Sequence, residues 1–333
     1  MLMTWGEIMD KPTSGGTPQA VPLRSRPRGK LAREWEQFKR NKELLFLSLP
    51  GILIKLVINY LPLIGLIVAF KQYRFDLGIF GSEWNGLNNF KFFFSSEAAF
   101  QITRNTVLYN LGFIIITTTA ALILAVLMNE VSGRFVKVYQ TALFFPYFLS
   151  WVVVGYITLA FLEHEKGFLY HLFLSFGWDP VQWYQEADKW PYLLNGVQLW
   201  KAVGFSTLIY YAGIIGINPT YYEAAKIDGA SKFQMVFRIT LPLLTPLIII
   251  LFIIAVGGMF RADFGLFYFI PNNSSFLYTT TDVIDTYVYR SLRDLGDVGM
   301  SAAVGLYQSV VGFILVLSTN YIIKKINSEN ALW

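Results

Sequence analysis

The sequence predicts an all-α integral membrane protein with six transmembrane helices, both termini in the cytoplasm, and a short helical cytoplasmic loop between helices 4 and 5. Hydrophobic residues make up 54% of the 333 residues and charged residues only 15%, which is far from the averages of soluble domains. A helix needs about 20 apolar residues to cross a bilayer. Six runs are long enough, at residues 44–70, 106–128, 141–162, 192–217, 243–260 and 301–323.

These runs divide the chain into one membrane domain with two short polar ends. We expect residues 1–43 to form a basic cytoplasmic leader that is partly disordered up to an amphipathic stretch at 31–40. Residues 44–325 form the membrane domain, and 326–333 a cytoplasmic tail. No short apolar core followed by a small-residue cleavage site precedes the first run, so no removable signal peptide is predicted.

The placement of lysine and arginine predicts the orientation. Nine of these residues lie in the leader, and seven more follow on the same side in short loops and the tail. The opposite side carries nine, spread over much longer loops. Because basic residues concentrate in cytoplasmic segments, both termini are predicted to be cytoplasmic. A basic inner face that meets anionic lipid accounts for the net charge of +5, and the dispersed positions give no reason to expect nucleic acid as a partner.

The polar stretch at residues 220–242 interrupts two apolar runs and lies on the predicted cytoplasmic side. Thr220 with Glu223, and Ser231 with Gln234, both have the spacing of a capping box that starts a helix. Gly229 lies between them, where glycine can leave a helix at positive φ. The stretch therefore predicts two short helices joined by a glycine turn, and a purely structural hairpin at the membrane interface is the alternative.

Several kinds of chemistry are absent from the sequence. There is no cysteine, and the only histidines are His164 and His171 near an external helix end, so no metal site is predicted. No Gly-x-x-x-x-Gly-Lys-Ser/Thr phosphate loop occurs, so the chain is not expected to bind ATP in that manner. We expect no cofactor on this chain, and any ATP-driven work would fall to a partner.

Lys201 lies well inside the fourth apolar run. Asn195 and Gln198 precede it at a spacing of three, which places the three side chains on one face of a helix. A cation at this depth is expected to face a wet cavity, where it would contact polar or acidic groups of a substrate. In the alternative, Lys201 extends to the outer interface beside Trp200. Both interpretations stay open at this point.

The fifth run ends in a stretch of paired glycines, charges and aromatic residues at 257–269. Broken helices of this kind are tolerated at membrane depth where they line protein or a water-filled path. Aromatic faces beside polar groups also suit sugar rings, and an aromatic belt at the outer interface is the alternative. The path candidates in this stretch are Phe260, Arg261, Phe264 and Tyr268. The external segment 282–298 is either an amphipathic helix that a soluble delivery protein could contact or a solvated loop.

The loop at 220–242 resembles the cytoplasmic signature loop of permeases from bacterial binding-protein-dependent ABC importers. The resemblance rests on the order and spacing of Glu223-Ala224-Ala225, Asp228-Gly229-Ala230 and Ile239-Thr240-Leu241-Pro242. Further segments resemble carbohydrate permeases, especially the branch that imports oligo- and polysaccharides. They are Phe75 with Trp84-Asn85-Gly86-Leu87-Asn88-Asn89-Phe90, Arg104-Asn105-Thr106, and Ser301-Ala302-Ala303-Val304-Gly305-Leu306. Together they cover most of residues 44–325.

The resemblance implies that this loop is a coupling helix seated in a groove of a cytoplasmic ATPase. By position, Glu223 is the acid that contacts the ATPase, and Gly229 supplies the turn. The residues assigned to coupling are Tyr222, Glu223, Ala224, Ala225, Asp228, Gly229 and Ala230. The implied partners are a second homologous permease subunit, two ATPase subunits that carry ATP and Mg²⁺, an extracytoplasmic solute-binding protein, the lipid bilayer and an oligosaccharide. The implied location is the bacterial cytoplasmic membrane, as a multi-pass protein.

The sequence therefore predicts a transport subunit that performs no covalent chemistry itself. If Lys201 and Arg261 line the path, sugars that contain uronic acids become plausible substrates. A secondary carrier or channel is the alternative from another class, and it would be expected to carry acidic residues within the membrane. The six runs contain no Asp or Glu, and no internal repeat is evident. A membrane enzyme would need clustered His, Asp or Glu near a membrane face, and the sequence has no such cluster.

Overall fold

The computed structural model of the protein describes residues 41–131, 133–326 and 331. The predicted leader up to residue 40, with its amphipathic stretch, lies outside the described residues, as does most of the predicted tail. The described residues fall into two units divided after Pro62.

The first apolar run is helical from Lys42 to Phe70. It comprises α1 (Lys42–Lys55), a π-helical stretch (Leu56–Tyr60) and a 3-10 stretch (Leu61–Phe70). The π-helical stretch comes just before Pro62, and a second one, Val236–Thr240, comes just before Pro242. Because proline has no N–H to donate, the regular hydrogen-bond ladder of a helix shifts at such positions.

The rest of the described chain is built almost entirely from helices. They are α2 (Gly78–Gly81), α3 (Asn88–Ser95), α4 (Glu97–Glu130), α5 (Gly133–Phe144), α6 (Trp151–Leu162), α7 (Phe168–Ser175), α8 (Trp190–Ile215), α9 (Thr220–Ile227), α10 (Lys232–Met235), α11 (Leu241–Gly257), α12 (Phe264–Phe269), α13 (Tyr278–Thr281), α14 (Ile284–Asp294) and α15 (Val298–Ile326). Further 3-10 turns lie at Phe145–Phe148, Ala187–Lys189 and Ser275–Leu277. Two short antiparallel strands, β1 (Lys71–Gln72) and β2 (Glu83–Trp84), pair Lys71 with Trp84.

Four continuous helices in the described part of the chain are long and apolar enough to cross a membrane. They are Lys42–Phe70, Glu97–Glu130, Lys232–Gly257 and Val298–Ile326. Two bent helix pairs raise the number to six if each pair is one span. These pairs are Gly133–Phe148 with Trp151–Leu162, and Ala187–Ile215 with Thr220–Ile227. The helical membrane character that the sequence predicts is confirmed, with four to six candidate spans.

The third predicted span, residues 141–162, is not one straight helix. Its two parts meet at an angle of 94°, at a break between Phe148 and Trp151. Pro146 lies in the 3-10 turn that ends the first part, and Ser150 starts the second part by accepting a hydrogen bond from the Val153 N–H at 3.3 Å. The apolar run continues across the break, so hydropathy alone gave no sign of it.

Two glycines lie at close contacts between α8 and its neighbours. A Cβ built on Gly204 would lie 1.9 Å from the carbonyl oxygen of Leu143 in α5. A Cβ on Gly112 of α4 would lie 2.9 Å from Oδ1 of Asn195 in α8. Small residues let helix backbones approach each other closely within membranes. The close approach of α8 to α5 therefore depends on Gly204, whereas the nearest atom to Gly112 is the end of a side chain.

The Gly204→Ala variant is expected to be less stable than the wild type by about 1–3 kcal/mol, because the added methyl group meets backbone that cannot rotate away. Thermal unfolding of the detergent-solubilised protein, followed by size-exclusion chromatography, measures the loss. Gly196→Ala is the matched control, since a Cβ at Gly196 in the same helix meets nothing within 4 Å. Equal melting temperatures for the two variants would contradict the packing argument.

Candidate functional site: the 220–242 loop and the Lys201 cluster

The first helix of the loop, α9, begins one residue earlier than the sequence predicts. Pro219 is the N-cap of α9 and already has helical angles, and Oδ1 of Asn218 accepts the N–H of Thr220 at 3.1 Å. Thr220 therefore lies inside the helix and makes no cap hydrogen bond. The prediction of a capping box between Thr220 and Glu223 was wrong.

The end of α9 is closed by Gly229. The φ angle of Gly229 is +75°, and the N–H of Gly229 donates to the carbonyl of Lys226 at 3.1 Å. The N–H of Ala230 donates to the carbonyl of Ala225 at 2.9 Å, which completes a Schellman motif. The predicted glycine turn is confirmed.

The second short helix starts with the predicted capping box. Oγ of Ser231 accepts from the N–H of Gln234 at 3.3 Å, and Oε1 of Gln234 accepts from the N–H of Ser231 at 2.8 Å. The chain then continues through the π-helical stretch into α11. The turn at Gly229 is thus fixed by backbone hydrogen bonds at the end of α9 and by the capping box at the start of α10.

The outer surface of the loop is exposed. Glu223, Ala224 and Asp228 are exposed, and the side chain of Glu223 makes no hydrogen bond or ion pair with the described residues. Ile227 is 86% exposed and Phe233 is 72% exposed. A carboxylate beside uncovered apolar side chains on a rigid loop is a surface that a protein partner can bind.

Two side-chain contacts attach the loop to the helices behind it. The hydroxyl of Tyr222 lies 2.9 Å from Oγ1 of Thr240, just before α11. Lys232 forms an ion pair with Glu130, the last residue of α4. The loop therefore contacts the ends of two long helices, so a displacement of the loop would act on both.

Lys201 lies at the bend between α5 and α6. Its Nζ donates to the carbonyl oxygen of Tyr147 at 2.8 Å and lies 5.0 Å from the centre of the Trp151 ring. Nε1 of Trp151 in turn donates to Oδ2 of Asp263 at 2.8 Å. The other oxygen of Asp263 accepts the N–H of Gly265 at 3.0 Å, at the start of α12. A single cluster therefore connects α8, the bend and α12.

Aromatic rings cover one side of this cluster. The ring of Tyr147 stacks nearly parallel to the rings of Phe144 and Phe205, with centroid distances of 5.4 and 4.8 Å. The ammonium group of Lys201 lies 5.6 Å from the centre of the Tyr147 ring. A cation among aromatic faces is held by cation–π attraction and keeps donors available for a ligand.

Asn195 and Gln198 form no hydrogen bond with Lys201. Nδ2 of Asn195 donates to the carbonyl of Pro191 in its own helix at 2.7 Å. Oδ1 of Asn195 and Oε1 of Gln198 are buried without a hydrogen-bond partner. Asn195 lines a separate cavity of about 290 Å³ together with Arg104.

A second aromatic group lies between α12 and α14. Phe264 and Tyr268 stack at 4.9 Å, and both contact the ring of Tyr289. Arg293 donates to the hydroxyl of Tyr289 at 3.2 Å and lies 3.5 Å from the hydroxyl of Tyr268. Phe264 and Tyr268, two of the four path candidates in residues 257–269, thus lie together beside Arg293.

The other two candidates lie apart from this group. Arg261 is exposed and donates to Oγ of Ser309 at 3.0 Å. Phe260 packs against Tyr307, and its carbonyl accepts Nε2 of Gln308 at 2.7 Å.

The segment 282–298, which the sequence predicts to be external, contains a helix, α14, with one buried face. Asp282 forms an ion pair with Arg290, and both are largely buried. Asp285 accepts the N–H of Ala262 at 2.7 Å, and burial raises the pKa of this carboxyl in spite of the hydrogen bond, which lowers it. The amphipathic helix is confirmed, and the solvated loop is not what the structure shows.

Residues that sequence patterns did not identify complete both groups. Tyr147, Trp151 and Phe205 surround Lys201, and Tyr289 and Arg293 adjoin Phe264. They come from separate helices, so no periodicity in one segment connects them. The described residues contain no group of three or more His, Cys, Asp or Glu that could hold a metal ion.

Comparison with known proteins identifies the class. The model of the family described as "Binding-protein-dependent transport system inner membrane component" matches residues 117–328. The helical membrane architecture and the loop thus define a membrane component of a transport system. The chain belongs to this family, which confirms the family that the signature loop indicated.

Relatives match along most of the chain. The chain is 36% identical to Protein LplB of Bacillus subtilis (strain 168) over 292 residues, which are 87% of this chain and 91% of that protein. It is 34% identical to the polygalacturonan/rhamnogalacturonan transport system permease protein YteP of the same organism, over 87% of this chain and 90% of that protein.

Solved structures match the fold closely. A chain of a bacterial ABC transporter involved in the import of the acidic polysaccharide alginate superposes with a TM-score of 0.80 at 31% identity, over 89% of this chain and 99% of that chain. A second structure shows a bacterial alginate ABC transporter in complex with a periplasmic protein bound to an alginate pentasaccharide. Its matching chain gives a TM-score of 0.79 at 31% identity, over 88% of this chain and 98% of that chain.

Proposed function

We propose that this chain is one of two membrane subunits of an ATP-driven importer for oligosaccharides in the bacterial cytoplasmic membrane. A second homologous permease, two ATPase subunits and an extracytoplasmic solute-binding protein complete the assembly. Membership of a binding-protein-dependent transport family supports this assignment, as does the similarity to a polygalacturonan/rhamnogalacturonan transport permease and to a chain of an alginate importer. ATP and Mg²⁺ bind to the ATPase subunits, and this chain only moves the substrate.

The 220–242 loop is proposed as the contact with the ATPase. The observation that carries this step is the exposed, unpartnered carboxylate of Glu223 on a loop whose central turn is fixed by Gly229 and Ser231. A rigid loop can transmit a displacement, whereas a flexible one would absorb it. Through the contacts of Tyr222 and Lys232, closure of the ATPases would act on α11 and α4, and would switch the access of the central path.

The substrate path is proposed to include the Lys201 cluster and the aromatic group around Phe264. Stacked rings offer faces for sugar rings, and Lys201 and Arg293 offer charge-assisted hydrogen bonds to carboxylates. Asn195, Gln198, Phe260 and Arg261 remain candidates that line the path elsewhere. The relatives for alginate and polygalacturonan favour a substrate that contains uronic acids.

The direct test is reconstitution of the chain with its proposed partners in proteoliposomes. Uptake of a labelled uronic-acid oligosaccharide should require ATP, the ATPase subunits and the solute-binding protein together. Uptake without ATP, driven by an ion gradient, would instead assign the chain to a secondary carrier.

The proposed orientation predicts a labelling pattern at the two ends of α15. The protein has no cysteine, so a single one can be introduced at Leu295, which is 77% exposed, or at Ile326, which is 80% exposed. A membrane-impermeant maleimide should label Leu295→Cys in intact cells, and Ile326→Cys only after lysis. The wild type is the control, and the opposite pattern would place the termini outside and overturn the coupling proposal.

A further inference from the structure

Two adjoining cavities lie between the 220–242 loop and the end of α4. One, the polar cavity, has a volume of about 320 Å³, and six of its ten lining side chains are polar or charged. The other has a volume of about 400 Å³ and is almost entirely apolar. Val126 and Val236 line both cavities, so the two are adjacent. Each has the size of a small-molecule site, for which about 300–1,000 Å³ is usual.

The polar cavity carries a net positive charge. Its charged side chains are Lys226, Lys232 and Glu130, and Lys232 pairs with Glu130. Lys226 is exposed and makes no ion pair with the described residues. Asn129 and Tyr222 add hydrogen-bonding groups. One uncompensated ammonium beside neutral donors suits a ligand group with a single negative charge.

The apolar cavity is a groove along two helical segments. Leu122 and Ile123 form one adjacent pair, and Val126 and Leu127 a second pair four residues later, so the four form one stripe on α4. The facing wall includes Phe233 and Phe237, whose rings lie 4.5 Å apart. Ile123, Leu127, Phe233 and Phe237 are 54–72% exposed. The groove is therefore open and lacks a polar lining that would hold water.

We infer that the two cavities form one site for an anionic phospholipid, with the phosphate beside Lys226 and an acyl chain in the groove. The adjoining charged and apolar parts match an amphiphile, which neither a sugar nor a free anion does. The polar cavity also lies where α4 ends at Glu130, which is where a headgroup would be in a membrane-spanning chain. Basic pockets between membrane helices are known to hold anionic headgroups.

The site would place the lipid against the loop. Tyr222 and Lys226 belong to α9, which also presents Glu223. A bound headgroup would thus lie between α9 and the end of α4, while the carboxylate of Glu223 stays exposed. The inference depends only on the chain being embedded in a membrane, so it stands or falls separately from the proposed import function.

Native mass spectrometry tests the headgroup. The full chain, purified with its co-purifying subunits, is mixed with phosphatidylglycerol or phosphatidylcholine that carry the same acyl chains. We expect the wild type to carry at least about fivefold more phosphatidylglycerol adducts than phosphatidylcholine adducts. In the Lys226→Ala variant, the phosphatidylglycerol adducts should fall to the phosphatidylcholine level. Lys324→Ala, which removes an exposed lysine outside both cavities, is the matched control and should bind as the wild type does.

A second pair of variants tests the groove. Ile123→Trp fills it and should reduce phosphatidylglycerol adducts by a similar factor. Ile115→Trp is the control, because Ile115 is 55% exposed against 56% for Ile123, on the same helix but outside both cavities. Both sites are exposed, so neither tryptophan should prevent folding.

Four results would overturn the inference. Equal adducts with the two lipids would show non-specific annular contact only, and an unaffected Lys226→Ala variant would remove the phosphate contact. Glycerol phosphate that displaces the lipid at equal concentration would show a site for a free phosphate ester. A photoreactive residue at position 237 that cross-links to a protein would assign the groove to a subunit.

Discussion

Replacement of Glu223 by alanine is expected to lower ATP-dependent uptake at least about tenfold and to leave the fold intact. Glu223 is exposed and has no partner among the described residues, so its removal leaves no unpaired group within this chain. The whole effect should therefore fall on the contact with the ATPase. Truncation of one member of an interfacial charge pair costs about 2–5 kcal/mol, and each 1.4 kcal/mol is about tenfold in affinity. Uptake by proteoliposomes and co-purification of the ATPase measure the loss.

Three further variants make this result specific. Asp179→Ala removes an exposed carboxylate in the loop between α7 and α8, on the predicted opposite face, and should leave uptake unchanged. Gly229→Val should lose uptake as Glu223→Ala does, because φ is +75° and a β-branched residue is strained there even though its Cβ meets nothing within 4 Å. Gly229→Asn should retain more uptake, since Asn tolerates this conformation. Wild-type uptake and co-purification in Glu223→Ala would end the coupling proposal.

The two predicted capping boxes show how far local sequence determines local structure. Ser231 with Gln234 forms its box, whereas Thr220 with Glu223 has the same spacing and forms none. The difference is the preceding residue. Pro219 has φ fixed near the helical value, so the helix begins one residue earlier and Thr220 falls inside it. A rule based on spacing alone, without the residue before the cap, does not predict the difference between the two boxes.

Apolar run length predicted the membrane character of the fold, but it did not predict the 94° break at residues 149–150. Hydropathy is averaged over a window of residues and does not register single positions. The break depends on Pro146, on the Ser150 cap and on Lys201, which binds the Tyr147 carbonyl from 54 positions away in the chain. The partners of the candidate residues were missed for the same reason. Arg293 meets Tyr268 only because α12 and α14 pack together, a tertiary contact that no single segment encodes.

Replacement of Lys201 by alanine is expected to reduce uptake of a uronic-acid oligosaccharide about tenfold or more, with a much smaller effect on a neutral sugar of equal length. The ammonium group has one fixed acceptor, the carbonyl of Tyr147, and further donors that remain available to a carboxylate. Hydrogen bonds to charged groups contribute about 1.5–3 kcal/mol, which corresponds to roughly tenfold to a hundredfold in binding. Competition between labelled acidic and neutral oligosaccharides in the same proteoliposomes measures the selectivity directly.

The relative uptake of the acidic and the neutral sugar separates two roles of Lys201, which are substrate binding and support of the bend. Lys201 also holds the bend through Tyr147 and lies against Trp151, so its loss could disturb the bend and slow every substrate equally. Lys201→Arg keeps the charge and should retain acidic selectivity, whereas Lys201→Gln keeps a donor for Tyr147 but loses the charge, and should lose that selectivity. Lys189→Ala removes a half-exposed lysine just before α8 and should change neither rate. Equal losses for acidic and neutral sugars in Lys201→Ala and Lys201→Gln would leave Lys201 as a structural residue of the bend and remove the support it gives to an acidic substrate.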